Sequence, residues 1–467
     1  MELEFVGAAR TVTGSKHIVR AAGSTVLLDC GLYQGKRHES IDRNRDIGLP
    51  VSELDAVVLS HAHIDHSGAL PLLARSGYDG PIFATPATRD LCAVMLEDAA
   101  HIQEADARYI NKLIERGESD MERVEPLYTA RDVLKVLEQM ISLPYHRPLT
   151  VAPGITLTFF DAGHVLGSAI TALDVEEGGT RKRLLFTGDL GRTGMPILRD
   201  PEVVQGASVL ITESTYGDRE HPPIESMYDE LAAIVKRTFE RGGKVIIPSF
   251  ALERAQEIVY ALKGLKKLGR LPNIPVYVDS PLTVKITDVF KLHPECYDDD
   301  ARALLVGRDP PFEFELLRYV SDKEESQALD ATDKPAIIIA ASGMCEAGRV
   351  LHHLKAAVED PKNTVCIVGF QAQHTLGRRI VERRKRVKIF GLERELRAEV
   401  DVLNGFSAHA DRNELLSYAS SAREAGPLED VILVHGEPAP QEALAGRLKA
   451  KGFSRVHIPD AGTRIRL

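Results

Sequence analysis

The segment Ser60-His61-Ala62-His63-Ile64-Asp65-His66-Ser67-Gly68 places three imidazoles and a carboxylate directly after the apolar run Val57-Val58-Leu59. Imidazole nitrogen and carboxylate oxygen are borderline-to-hard donors that suit zinc, and a catalytic zinc site keeps one position open for water. Four such side chains exceed the needs of one mononuclear catalytic site, so the spacing predicts two adjacent metals. His61 and His63 alternate at a strand end and face one side, while Asp65 and His66 follow on the tight turn beyond. A histidine-rich surface turn is the competing explanation, and the buried strand in front of the motif argues against it.

Other residues of ligand type stand further along, each at a similar place. His164 lies in Asp161-Ala162-Gly163-His164-Val165-Leu166-Gly167-Ser168, and Asp189 in Phe186-Thr187-Gly188-Asp189-Leu190. Alone, each is as readily a turn residue satisfied locally. The elements that must position them are short β-rich runs: Leu157 to Phe160 before Asp161, Leu184 to Thr187 before Gly188, Val209 to Thr212 before Glu213, and Val431 to Val434 before His435. Ligand-type side chains thus recur at the carboxyl ends of buried strands, the rim where open α/β sheets carry their sites. Helical periodicity between the strands, over about 88–116 and 130–140, gives an α/β chain. From about Glu225, a helix, strand 244–248, helix 253–265, and strands 276–279, 336–340 and 364–369 read as an α/β unit of their own.

A chain of 467 residues exceeds the usual size of one core, so two or more compact units are expected. Its 44% hydrophobic and 27% charged residues exclude the disordered and fibrous classes. A formal net charge of −10 excludes indiscriminate polyanion binding, although a local basic groove is compatible with it. Cys30, Cys92, Cys296, Cys345 and Cys366 form no C-x-x-C pair, which points to buried thiols and to neither a disulfide framework nor a thiolate metal site. The start Met1-Glu2-Leu3-Glu4-Phe5-Val6 lacks a basic n-region, and no apolar stretch is long enough to span a bilayer, so the expectation is a cytoplasmic chain without a membrane partner.

The order HxHxDH, His164, Asp189, with Asp29 in Leu28-Asp29-Cys30-Gly31 as a supporting motif, resembles the metallo-β-lactamase superfamily, whose fold is an αββα sandwich. Three further segments resemble motifs A, B and C of the β-CASP nucleases: Thr212-Glu213-Ser214-Thr215-Tyr216-Gly217, Phe406-Ser407-Ala408-His409-Ala410-Asp411 and Leu433-Val434-His435-Gly436. The resemblance implies an α/β β-CASP domain over 206–398, inserted between lactamase segments 1–205 and 399–467. It implies two zinc ions per chain held by His61, His63, Asp65, His66, His164, Asp189 and His435, with Asp189 bridging and Asp65 orienting the attacking hydroxide. His409, supported by Glu213, would protonate the leaving oxygen.

A histidine at motif C resembles the RNA-processing branch, and the pattern is similar to bacterial and archaeal relatives of the nuclease subunit of the eukaryotic cleavage and polyadenylation specificity factor. The expected function is a zinc-dependent ribonuclease acting on single-stranded RNA in processing or decay. By the same resemblance, Ser249, Arg254, Ser280, Ser342, Thr375 and Arg378 would contact substrate, although Glu253 stands where many relatives carry glycine. Between Gly377 and Lys388 the residues Arg378, Arg379, Arg383, Arg384, Lys385, Arg386 and Lys388 face only Glu382 in charge, an excess suited to a polyanion or to a solvated surface. With 6% aromatics and no tryptophan, backbone contacts should dominate over base stacking. Two alternatives stand beside this reading: a lactamase-fold hydrolase of a small ester or thioester, and a non-catalytic RNA-binding scaffold. Exonuclease and endonuclease modes, and homo-oligomerisation, stay open.

Overall fold

The computed structural model describes residues 1–35, 37–118, 122–403 and 405–467. The chain forms two compact units, the first from Met1–Thr193, Asp200–Glu220 and His409–Leu467, the second from Gly194–Arg199 and His221–Ala408. Val209–Thr212 pairs within a sheet of the first unit and Glu399–Leu403 within the sheet of the second; besides the short excursion Gly194–Arg199, the second unit runs from 221 to 408, against the 206–398 read from sequence.

Among the described residues, two seven-stranded sheets build the first unit. One runs Thr463–Arg466, Glu2–Gly7, Lys16–Ala21, Ser24–Leu28, Ala56–Val58, Ile82–Ala84, Met140–Ser142. The other runs Arg455–His457, Asp430–Leu433, Val209–Thr212, Thr180–Phe186, Ala169–Glu177, Ile155–Asp161, Leu149–Ala152. Their strands are apolar at successive positions because both faces are covered. Leu184 and Phe186 point into the core between the sheets with Phe5, Leu28, Val58 and Phe159, whereas Leu185, Leu210 and Val431 point outward to Leu415 and Leu444 on the helices Arg412–Glu424 and Pro438–Ala450. The helices Leu70–Arg75, Pro86–Glu115 and Ala130–Gln139 pack together, and the longest of them lies against Met140–Ser142. This is the αββα sandwich expected from the sequence.

Long-range pairing closes the first unit. The chain's last strand pairs antiparallel with its first (Leu3 opposite Ile465), and Asp430–Leu433 lies parallel to Val209–Thr212 (Ile211 opposite Ile432). Strand ends from distant parts of the sequence are thereby brought to one rim.

The second unit is a parallel sheet in the order Leu317–Val320, Val276–Asp279, Ile337–Ala340, Val245–Pro248, Thr364–Val368, Glu399–Leu403, with helices in the connections. Runs such as Ile337-Ile338-Ile339 are buried on both sides, as parallel strands require. All five cysteines are buried, and none is joined in a disulfide. No helix among the described residues is long and apolar enough to cross a membrane.

A charged cluster holds the second unit behind its strand ends. The buried Asp279 carboxylate accepts from Ser326 Oγ (2.6 Å), Arg349 Nη1 (2.6 Å) and His353 Nε2 (2.8 Å), while His353 Nδ1 lies 2.7 Å from Asp330. Both ring nitrogens face carboxylates, so the doubly protonated ring satisfies both contacts. Burial opposes that charge, but Asp279 and Asp330 outweigh it and raise His353 above its usual range. A raised folded value adds stability that is complete below the unfolded value of about 6.5 and is lost as pH rises through the folded one. Thermal melts of His353→Gln against the parent should therefore show a destabilisation that is largest below about pH 6.5 and shrinks as pH rises; a pH-independent difference would refute the charged bridge.

Candidate metal centre

Strand Ala56–Val58 ends just before the motif, residues 59–63 leave the sheet extended, and Ile64–Ser67 makes one helical turn that presents Asp65 and His66. Two further loops are sewn to this turn by backbone bonds: Ser15 N to Asp65 O (2.8 Å) from one, and Cys30 N to His66 O (2.7 Å) and Leu32 N to Ile64 O (3.0 Å) from the other. The approach is so close that a Cβ at Gly31 would fall 1.6 Å from Asp65 O, so this position requires glycine. Asp29 itself takes a left-handed backbone (φ 59°), which aims its carboxylate under the histidines.

Two groups of donors meet at the rim. His61, His63, His164 and Asp189 offer ligand atoms within 4.8 Å of one another, and so do Asp65, His66 and His435. Asp189 lies between them. Its Oδ2 is 3.6 Å from His61 Nε2 and 3.5 Å from His164 Nε2, and its Oδ1 is 3.4 Å from His66 Nε2 and 3.3 Å from His435 Nδ1. His435 Nε2 also lies 3.5 Å from Asp65 Oδ2. The structure thus brings every metal-ligand candidate of the sequence together, within the first unit alone.

The donor set fits a metal. Burial, reinforced by neighbouring His66, holds His61 well below its usual range, and burial brings His63 to about 4, so both present neutral nitrogen lone pairs. Burial resists the charge on Asp189, yet His435, His66 and His409 overcome it and keep the carboxylate ionised. Burial likewise resists charge on His66, which Asp189 and Asp29 draw well upward. Carboxylates packed among imidazoles call for positive charge here, and Asp189 Oδ1, though buried, has no hydrogen bond. A bound cation answers both needs.

Glu213 and His409 stand beside this group. The Glu213 carboxylate, fully buried, accepts from Leu190 N (2.7 Å) and lies 3.1 Å from His409 Nδ1. Burial works against the imidazolium, but the carboxylates of Glu213 and then Asp189 outweigh it, raising His409 to about 9. A protonated imidazole is thereby held next to the donor cluster.

The substrate-contact candidates all lie in the second unit, in the loops and helix starts that follow the carboxyl ends of its parallel strands. Their hydroxyls serve local structure: Ser249 Oγ donates to Phe250 O (3.0 Å), Ser280 Oγ accepts from Thr283 N (3.2 Å), Ser342 Oγ from Glu346 N (3.2 Å), and Thr375 Oγ1 from Arg378 N (3.1 Å). Arg254 is buried, pairs with Glu257 (2.6 Å) and lies over the Phe406 ring, and Arg378 pairs with Glu382 (2.9 Å). Glu253 adopts φ 66° ahead of the helix Arg254–Lys267 and is buried, a left-handed backbone that favours glycine. Of the basic run, Arg384 also pairs with Glu382, and Arg386 with Glu393.

Three polar residues without a role in the sequence reading touch the centre. Ser60 Oγ lies 3.0 Å from both Asp29 Oδ2 and His61 Nδ1, Ser15 Oγ lies 3.2 Å from Asp29 Oδ2, and Thr215 Oγ1 lies 3.2 Å from His435 Nδ1. Only adjacency to a ligand hinted at Ser60; nothing local marked Ser15.

Comparison with known proteins agrees with this fold. Residues 14–248 match the metallo-beta-lactamase superfamily, 255–380 the Beta-Casp domain, and 393–459 the Zn-dependent metallo-hydrolase RNA specificity domain. The chain is 38% identical over 452 residues to Ribonuclease TTHA0252 of Thermus thermophilus, covering 97% of each chain. It is 34% identical over 448 residues to the transcription termination factor FttA of Methanosarcina mazei, covering 92% of this chain and 66% of that protein. A crystal structure of a protein of unknown function from Enterococcus faecalis V583 shares the fold at TM-score 0.55 and 14% identity, over 100% of this chain and 99% of that one. Donor cluster, sandwich and matched domains together make this chain a metal-binding member of the β-CASP family of metallo-β-lactamase-fold hydrolases.

Proposed function

We propose that this protein is a zinc-dependent ribonuclease that hydrolyses phosphodiester bonds of single-stranded RNA, with two zinc ions per chain. The observation that carries the proposal is the meeting of His61, His63, His164 and Asp189 with Asp65, His66 and His435, with a protonated His409 alongside. The name of the Thermus thermophilus relative, a ribonuclease similar over nearly its whole length, supports RNA as the substrate. So does the match to an RNA specificity domain. FttA extends beyond the region that this chain matches, so its termination activity is not carried over.

His61, His63 and His164 would hold one ion and Asp65, His66 and His435 the other, with the Asp189 carboxylate available to both. When bound, the ions supply Lewis acidity, offsetting charge on the scissile phosphate and acidifying water. Asp65 orients the attacking water for in-line attack. His409, held by Glu213, gives its proton to the departing oxygen. The run of Arg383, Arg384 and Lys385 is exposed and suits the phosphate backbone, which fits binding with little base selectivity. A cytoplasmic setting agrees with such a substrate.

His409→Ala should retain both metals by elemental analysis yet lose about 10²–10⁴-fold in RNA hydrolysis, the usual span for a general acid. Asp189→Ala should lose metal and activity together; full activity in His409→Ala would sink the assigned acid. Cleavage of RNA labelled at either end, beside matched DNA, separates exonuclease from endonuclease action, and equal cleavage of DNA would overturn the choice of RNA. Replacing Arg384 and Lys385 with alanine should weaken RNA binding and reduce the slope of log affinity against log salt by about 1.4, or 0.7 for each lost phosphate contact. An unchanged slope would place the RNA elsewhere.

A further inference from the structure

Asp29 belongs to neither donor group, yet it reaches both, one directly and one through a hydroxyl. It is fully buried and receives the Ser60 amide on Oδ1 (2.8 Å), and Ser60 Oγ (3.0 Å), Ser15 Oγ (3.2 Å) and His66 Nδ1 (2.7 Å) on Oδ2. A carboxylate only accepts, so each of these partners donates its proton. For Ser60 the consequence is specific, because a hydroxyl has a single hydrogen. Once that hydrogen points at Asp29, Ser60 Oγ can only accept from His61 Nδ1, which lies 3.0 Å away.

His61 is thereby fixed with its proton on Nδ1 and its lone pair on Nε2, the atom that faces His63 Nδ1 (3.1 Å) and Asp189 Oδ2 (3.6 Å). His66 Nδ1 is held by direct contact with Asp29, which turns Nε2 toward Asp189 Oδ1. The orientation of an imidazole ligand is set by what its other nitrogen bonds. One carboxylate therefore sets the proton position of one histidine in each donor group, directly for His66 and through a hydroxyl for His61. Packing supports the relay: Gly188, at φ 54°, lies so close that a Cβ there would fall 2.6 Å from Ser60 Oγ. The turn carrying Asp189 closes directly onto this hydroxyl.

We infer that Ser60 is a positioning residue that transmits the orientation of Asp29 to the His61 metal site alone, making Asp29 the shared anchor of two sites. This inference rests on the two-metal reading above. Its test uses the full chain and zinc as the probe, with stepwise affinities read by competition against a chelating dye. Ser60→Ala should weaken one of the two zinc sites by about 10–100-fold, the usual cost of removing such a supporting bond, and leave the other at the parent value. Ser60→Thr, which keeps the hydroxyl, should restore the weakened site. In the unsubstituted zinc-loaded protein, nitrogen NMR of the His61 ring should find the proton on Nδ1, a readout independent of how any variant folds.

Two wild-type affinities in Ser60→Ala, an equal loss at both sites, or a His61 proton on Nε2 would each overturn the inference while leaving two metals standing. A parent protein that holds a single zinc would overturn the two-metal reading and this inference with it.

Discussion

The Asp189 carboxylate is buried at 2% exposure among the imidazoles of His61, His66, His164 and His435, and one of its oxygens accepts no hydrogen bond. Charge is costly to bury unless opposite charge or hydrogen bonds compensate it. The compensation here is a pair of donor groups on opposite sides of one carboxylate, an arrangement suited to bound metal. Much of the first unit can be understood as the scaffold that this crowding demands: two sheets pressed together by Phe5, Leu28, Phe159, Leu184 and Phe186, with their strand ends converging on the same rim.

Holding so many donors in place requires backbone that cannot drift. Gly31 against Asp65, Gly188 against Ser60 and the left-handed Asp29 are places where the chain accepts conformations that larger or ordinary residues resist. These contacts join segments far apart in sequence. The second unit follows a different plan, with a parallel sheet whose strand ends run into capped turns and helices, anchored behind Asp279 by Arg349 and His353.

The elements, and the donor side chains that meet at the rim, were largely legible in the sequence. The runs ending at Gly188, Glu213 and His435 become buried strands because apolar residues on both faces encode a strand covered on both sides. The HxHxDH spacing implied two sites because four ligands exceed one. Less legible were the positions where the chain passes between units. Strands 209–212 and 399–403 have compositions that would suit either sheet, and only pairing assigns them. The serines and threonine proposed to contact substrate each make a local hydrogen bond, a feature that composition could not distinguish from ligand binding.

The sequence by itself determined the donor types, their order and the strands that end at them, since these depend on side-chain chemistry and on periodicities of a few residues. Tertiary structure alone decided that Asp189 stands between the two donor groups and that Glu213 faces His409 across 196 positions of chain. It also decided that Asp29 grips His66 directly and His61 through Ser60. Which nitrogen of a histidine carries the proton depends on what lies behind the ring, and what lies there comes from another strand.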